Sequence, residues 1–122
     1  MVRDADGEVV AAAELPRDGR FAIDYVHSYY RAPAQERFVA GDGSFRLESV
    51  ASPRAAVLDY YELEGRRVRQ GRRLRLFPRP RARYERLPLI ATSTGRRTLV
   101  VGQRRLPLYG PRARHLTIAL ER

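Results

Sequence analysis

The apolar and polar positions fall into short alternating runs broken by Gly, Pro and Asp. Arg20 to Ser28 alternates most cleanly: Phe21, Ile23, Tyr25 and His27 share one face of an extended chain, and Ala22, Asp24, Val26 and Ser28 share the other. Before it, Glu8 to Leu15 is an extended apolar run closed by Pro16-Arg17-Asp18-Gly19, a turn with Pro and Gly in natural places. The two segments are expected to pair as a β-hairpin. Ala34 to Ala40 and Ser44 to Val50 flank Gly41-Asp42-Gly43, where Asp-Gly supplies the positive φ angles of a tight hairpin. In the second of these strands Phe45 and Leu47 oppose Arg46 and Glu48.

Ser52 to Gly65 fits two patterns. Ser52 as N-cap, Pro53 as first helical residue and Gly65 past the end is helix punctuation. Val57, Asp59, Tyr61 and Leu63 also alternate against Leu58, Tyr60 and Glu62, as a strand would. The expectation is a short helical turn over Pro53 to Ala56, within a helical region near 53–60, feeding a strand. Further strands are expected at Arg73–Phe77, ended by Pro78-Arg79-Pro80, and at Leu87–Thr92. Thr98–Val101 and Arg104–Tyr109 form a third hairpin about Gly102-Gln103, and His115–Leu120 closes the chain. About eight short strands with frequent turns predict an all-β fold, an antiparallel sandwich or partly closed barrel built from hairpins, as a single domain over 1–122.

Composition narrows the chemistry. With no cysteine among 122 residues, disulfides, zinc–thiolate sites, iron–sulfur clusters and thiol nucleophiles drop out, and no cofactor is expected. No apolar run reaches the roughly 18–20 residues of a membrane span, and no export-type segment is seen, so the chain as given is expected to be soluble. All 24 cations are arginine. Ten of them lie between Gly65 and Arg86 with Glu85 as the one acid, so this stretch carries +9 of the +10 net charge. Arg73, Arg75, Arg79 and Arg81 are its candidate anion-binding residues, since guanidinium forks match oxyanions bidentately. The competing reading is a GC-rich codon bias together with a solvated strand face, because Arg73-Leu74-Arg75-Leu76 alternates with period two.

Two histidines are present, His27 and His115, and neither has metal-ligand spacing. His27 begins a dense patch with Ser28, Tyr29, Tyr30 and Arg31, followed by Gln35 and Glu36. If the flanking strands pair, Glu36 is expected within hydrogen-bond reach of His27 or Ser28, where a carboxylate orients an imidazole and raises its proton affinity. No nucleophile elbow and no phosphate-cradling glycine loop occurs. The candidate polar site is therefore Tyr25, His27, Ser28, Arg31 and Glu36, serving either a ligand or partner or a hydrogen-bonded lock of the hairpin.

Over Tyr25 to Phe38 the chain resembles an uncharacterised family, the domain of unknown function 1850. Phe21, Ile23, Tyr25, His27, Ser28, Pro33 and Glu36 match that family's Phe-x-Leu-x-Tyr-x-His-Ser, short gap, Pro-Val-x-Glu pattern. Gly95, Thr98–Gly102 and Leu106–Leu108 are similar to its closing strands. Where members carry a glycine-rich segment this chain has Ser52 to Tyr61, and the hydrophobic leader common among members is absent. The resemblance implies an extracytoplasmic or membrane-associated accessory of TAXI-type TRAP transporters, with transporter components or a small anionic ligand as partner. The leading expectation is thus a non-enzymatic binding domain. The alternatives are a basic surface over 65–86 that binds nucleic acid or an anionic membrane, and a hydrolase using His27 with Glu36.

Overall fold

Phe21, Phe38 and Phe45 come from three successive strands and meet in one cluster, with ring centroids 5.2–5.7 Å apart. Each ring offers the large apolar area that dominates core energetics. The computed structural model describes residues 1–121; Arg122, the last residue of the expected domain, lies outside them. Among the described residues twelve strands and one helix form two antiparallel sheets that enclose this cluster. The all-β sandwich expectation holds, and the sheets do not close into a barrel.

The smaller sheet has the order β2 (Val9–Ala11), β1 (Val2–Asp4), β12 (Arg114–Ala119), β9 (Arg86–Ala91). The larger sheet runs β11 (Arg104–Pro107), β10 (Thr98–Val101), β3 (Arg20–Val26), β4 (Pro33–Gly41), β5 (Ser44–Ser52), β7 (Arg73–Pro78), β6 (Gly65–Gln70), with β8 (Arg83–Tyr84) beside the start of β5. The core is filled from both sheets: Val2, Leu89, Leu116 and Ile118 from the smaller, and Ile23, Leu47, Val50, Leu76 and Leu99 from the larger.

Two of the three expected hairpins form. Gly41 pairs with Ser44 across Asp42-Gly43, both at positive φ (55° and 76°), as a two-residue mirror-image turn requires. Thr98 pairs with Pro107 and Val101 with Arg104. The expected first hairpin does not form. Both edges of β3 are taken, by β4 and β10, so Val9–Ala11 pairs with β1 in the other sheet. The Pro16–Gly19 turn does close, with the Gly19 N–H on the Pro16 carbonyl at 2.9 Å, and it sits where the chain passes between sheets.

The expected strand through 57–63 is replaced by a helix, α1 (Ala55–Tyr60). Adjacent Val57 and Leu58 are both fully buried, which period-two alternation forbids on a one-sided strand. Ser52 serves the turn before the helix, its hydroxyl accepting the Arg54 N–H at 3.2 Å, while Arg54 occupies the cap position itself. The helix ends at Tyr60, and two residues on Glu62, with φ +54°, turns the chain out of the helical conformation. At Gly65 (φ +153°) a Cβ would lie 2.0 Å from the Phe77 carbonyl oxygen, so β6, which the alternation had not marked, depends on glycine to start.

In denaturant unfolding, Phe45→Ala should cost about 3–5 kcal/mol through transfer and cavity terms. Gly65→Ala should detach β6 and speed amide exchange over 65–70 while the Phe21–Phe38–Phe45 core stays protected; unchanged exchange would contradict the contact with Phe77.

Candidate functional site

The end of the sandwich opposite the Asp42-Gly43 turn gathers five of the seven tyrosines. Tyr25 ends the inward face of β3, Tyr29 and Tyr30 lie in the β3–β4 loop, and α1 and its C-cap deliver Tyr60 and Tyr61. A cavity of about 460 Å³ opens here, lined among others by Tyr25, His27, Glu36, Tyr60, Tyr61 and Arg97. Its size falls in the range of small-molecule sites, and its tyrosines and few convergent polar groups match their usual lining.

Glu36 projects between the sheets because it pairs with Ile23, whose side chain is fully buried. Its Oε2 accepts the Tyr61 hydroxyl at 2.8 Å, and the Tyr61 hydroxyl also shares a hydrogen bond with the Tyr25 hydroxyl. Arg97 lies with Nη1 3.9 Å from Glu36 Oε1, its guanidinium 4.6 Å over the Tyr25 ring, and Nε donating to the Ile90 carbonyl at 3.2 Å. Burial pushes the Glu36 carboxyl above its ordinary value, against the opposing pull of the Tyr61 bond and Arg97. Burial likewise raises Tyr25, to about 12, and raises Tyr61, where the nearby Glu36 charge adds to the effect. Both phenols therefore stay protonated at neutral pH; with the Tyr61 proton on Glu36, the Tyr25 hydroxyl donates to the Tyr61 oxygen, and the two form a chain ending on the carboxyl.

His27 lies just beyond β3 and is 6% exposed. Its Nδ1 accepts the Tyr30 N–H at 3.3 Å, which places the ring proton of the neutral form on Nε2. Its backbone N–H bonds the Ala32 carbonyl at 2.8 Å and its carbonyl accepts the Arg31 N–H at 2.7 Å, so the loop closes on this residue. The ring meets Tyr60 edge-on at 4.7 Å and Tyr30 at 5.4 Å.

Of the residues nominated from sequence, Tyr25, His27, Ser28 and Glu36 all line the cavity. Arg31 does not; it is exposed at φ +51° in the loop. The expected contact of Glu36 with His27 or Ser28 does not occur among the described residues: Glu36 bonds Tyr61 instead. Register explains this, since Glu36 pairs with Ile23 and so lies roughly 13 Å along the strand from His27, four residues at about 3.3 Å each. Tyr60, Tyr61, Thr92 and Arg97 were not nominated. The Tyr60-Tyr61 pair was a usable signal, as a second tyrosine doublet after Tyr29-Tyr30. Arg97 carries none, being one of 24 arginines.

The basic stretch is not one surface. Nine of its ten arginines are exposed and Arg75 is buried. Register puts Arg66, Arg73 and Arg75 on the face that the smaller sheet leaves open, with Arg67 and Arg69 on the opposite face. The nominated set is divided accordingly. Arg73 and Arg75 lie side by side on β7, whereas Arg79 and Arg81 follow its end, and Arg81 lines a separate groove with Arg46 and Arg83. His115 is exposed on the outer face of the smaller sheet. Among the described residues no three His, Asp or Glu side chains gather to hold a metal, and no helix is long and apolar enough to cross a membrane.

No family model, curated protein or solved structure matches the chain.

A group titrating higher in the folded than in the unfolded chain favours the fold at low pH, and that contribution is lost as pH rises through the folded value. In unfolding curves between pH 5 and 8, wild type should gain stability relative to Glu36→Gln as pH falls; parallel curves would show that Glu36 is not perturbed. Tyr61→Phe removes the neutral donor from a buried carboxyl and should cost about 1–3 kcal/mol.

Proposed function

We propose that this chain is a non-enzymatic, small-molecule-binding module, and that the cavity at Tyr25, His27, Glu36, Tyr60, Tyr61 and Arg97 takes a neutral, hydroxyl-bearing ligand with one apolar face, the chemistry of a sugar ring. The observation that carries this reading is the convergence of a carboxyl, two phenols and a guanidinium inside the cavity, beneath a Tyr60 ring that is 63% exposed at its mouth. Glu36 and Arg97 offset one another in charge, so the walls offer donors and acceptors without a strong net sign. Hydroxyl groups answer such a set in both roles. A flat exposed phenol presents an apolar platform with a polar tip.

An anionic ligand at this position would approach Glu36, which disfavours the small anion expected from the family resemblance. Binding is favoured over hydrolysis by the state of His27. Its Nδ1 lone pair is engaged by the Tyr30 N–H, leaving a donor at Nε2, while a general base needs a free lone pair facing its nucleophile. The extracytoplasmic, transporter-associated role rests on the Tyr25–Phe38 resemblance, which contributes Tyr25, His27 and Glu36 to the cavity. A basic surface for nucleic acid or membrane is a weaker reading, because the arginines divide between two faces of the β6–β7 hairpin and leave no continuous stripe along a phosphate backbone.

Calorimetric titration with a panel of neutral monosaccharides and polyols tests the reading. Saturable binding by at least one compound should weaken about tenfold or more in Tyr60→Ala, a loss of at least about 1.4 kcal/mol. The stability of that exposed-site variant should stay within about 1 kcal/mol of wild type. No saturation with any neutral compound, or ester turnover that disappears in His27→Ala, would overturn the proposal.

A further inference from the structure

The open face of the larger sheet holds a cation where a core would normally hold none. Arg75 is the largest fully buried side chain, at 1% exposure. It donates from Nη1 to Ser49 Oγ at 2.7 Å, from Nε to Gln70 Oε1 at 2.9 Å and from Nη2 to Gln35 Oε1 at 3.2 Å. All three acceptors are neutral, and among the described residues no carboxylate lies within ion-pair distance of it. A buried guanidinium without a counter-charge is the costly half of an ion pair. Burial, with repulsion from Arg37 and Arg73 and against the attraction of Glu48, draws its pKa below the ordinary guanidinium value.

The polar chain continues outward from Arg75. Gln35 Nε2 donates to Asp24 Oδ1 at 2.9 Å, and Arg105 Nη1 donates to Asp24 Oδ2 at 2.9 Å. Asp24, Gln35 and Arg75 lie along one row of the sheet, since Thr98 pairs with Asp24, Asp24 with Gln35, Gln35 with Ala51 and Ala51 with Arg75, and Arg105 reaches Asp24 from β11. Ala51, with a single methyl, lets Arg75 and Gln35 meet across β5. A groove of about 380 Å³ runs over this row, with Arg73, Arg96 and Arg105 in its walls. Asp24 is the only acid lining it, and both its oxygens are already engaged.

We propose that this groove is a binding site for a phosphomonoester dianion, with Arg73, Arg96 and Arg105 as direct ligands and the buried Arg75, acting through Gln35, as the fixed positive charge beneath it. Three guanidinium forks around one concavity suit a compact tetrahedral oxyanion with several acceptors. Four arginines against one carboxylate leave the site electrostatically incomplete when empty. The site is on the other face of the sheet from the Glu36 cavity and does not depend on the ligand assigned there. A soluble phosphorylated metabolite and a phosphatidate headgroup share this chemistry.

Amide chemical shifts followed during titration with inorganic phosphate at low ionic strength test the proposal. Saturable shifts are expected at Gln35, Ala51, Arg73 and Thr98, with sulfate competing for the same residues. Arg73→Gln and Arg105→Gln, both at exposed positions, should each weaken phosphate binding about tenfold, the loss of one charge-assisted contact, and Arg73→Gln does so without touching the Arg105–Asp24 pair. Arg75→Met should weaken it as well. If that variant does not fold, the two rim variants decide the matter. Phosphatidylcholine vesicles containing phosphatidic acid identify the source: competition with phosphate assigns a headgroup, and its absence assigns a soluble phosphomonoester. Unsaturable shifts spread over the exposed arginines of 65–86, or affinity unchanged in Arg73→Gln and Arg105→Gln, would overturn the site.

Discussion

Glu48 is the one residue that β5 carries in excess of β4, and the facing of everything after it depends on that insertion. Phe38 pairs with Leu47 and Arg37 with Ser49, so Glu48 is left unpaired in a β-bulge. A strand that turned Phe45 and Leu47 inward without a bulge would turn Ser49 and Ala51 inward too and would leave Val50 facing water. With the bulge, Val50 is fully buried beside Glu36, and Ser49 and Ala51 pass to the open face. The Glu48 carboxylate, itself nearly buried, is held by Arg20 Nε at 3.1 Å and lies 3.9 Å from Arg37 Nη1. The bulge also coincides with the place where β5 changes partner, from β8 to β7.

The two polar regions follow from this change of facing and differ in electrostatic character. Inside, Glu36 is next to Val50 in the ladder, within reach of the phenols that α1 and β3 bring to the sandwich end. Its charge is offset by Arg97, and the cavity is close to neutral. Outside, Ser49 accepts from Arg75, and Ala51 leaves room for Arg75 to reach Gln35. There the cations outnumber the acid, and the face stays positive. The excess of arginine in residues 65–86 is carried on β6, β7 and the segment that follows them, and none of those ten arginines lines the candidate small-molecule cavity.

Elements with local punctuation were legible in the sequence. Asp42-Gly43 specified its hairpin through two positive φ angles, and Phe21, Ile23, Tyr25 and His27 specified an inward face that holds as far as His27. What failed depended on partners remote in sequence. Glu8–Leu15 reads as the partner of the strand that follows it because short-range pairing is the commoner arrangement, yet β10 occupies that edge of β3. α1 was obscured because Val57–Leu63 satisfies both periods, and burial of adjacent Val57 and Leu58 decides between them only once two packing clusters exist. Four of the five nominated polar residues do line the cavity, but the Glu36–His27 contact required a register that sequence spacing does not supply. Arg97 was invisible as a special residue, and Arg75 stood out only as one of four anion-binding candidates and not as the buried one, since an all-arginine cation set gives an ion-pairing residue, a buried residue and a solvated residue the same letter.

The most direct test of this account is the pairing of β4 with β5, read from cross-strand nuclear Overhauser contacts in solution. The account predicts backbone contacts between Arg37 and Ser49 and between Phe38 and Leu47, with no cross-strand partner for Glu48 and with the Val50 methyls inside the core. A continuous register in which Glu48 has a partner of its own on β4 and Val50 faces solvent would contradict it, and would remove the basis for both the Glu36 cavity and the Arg75 row.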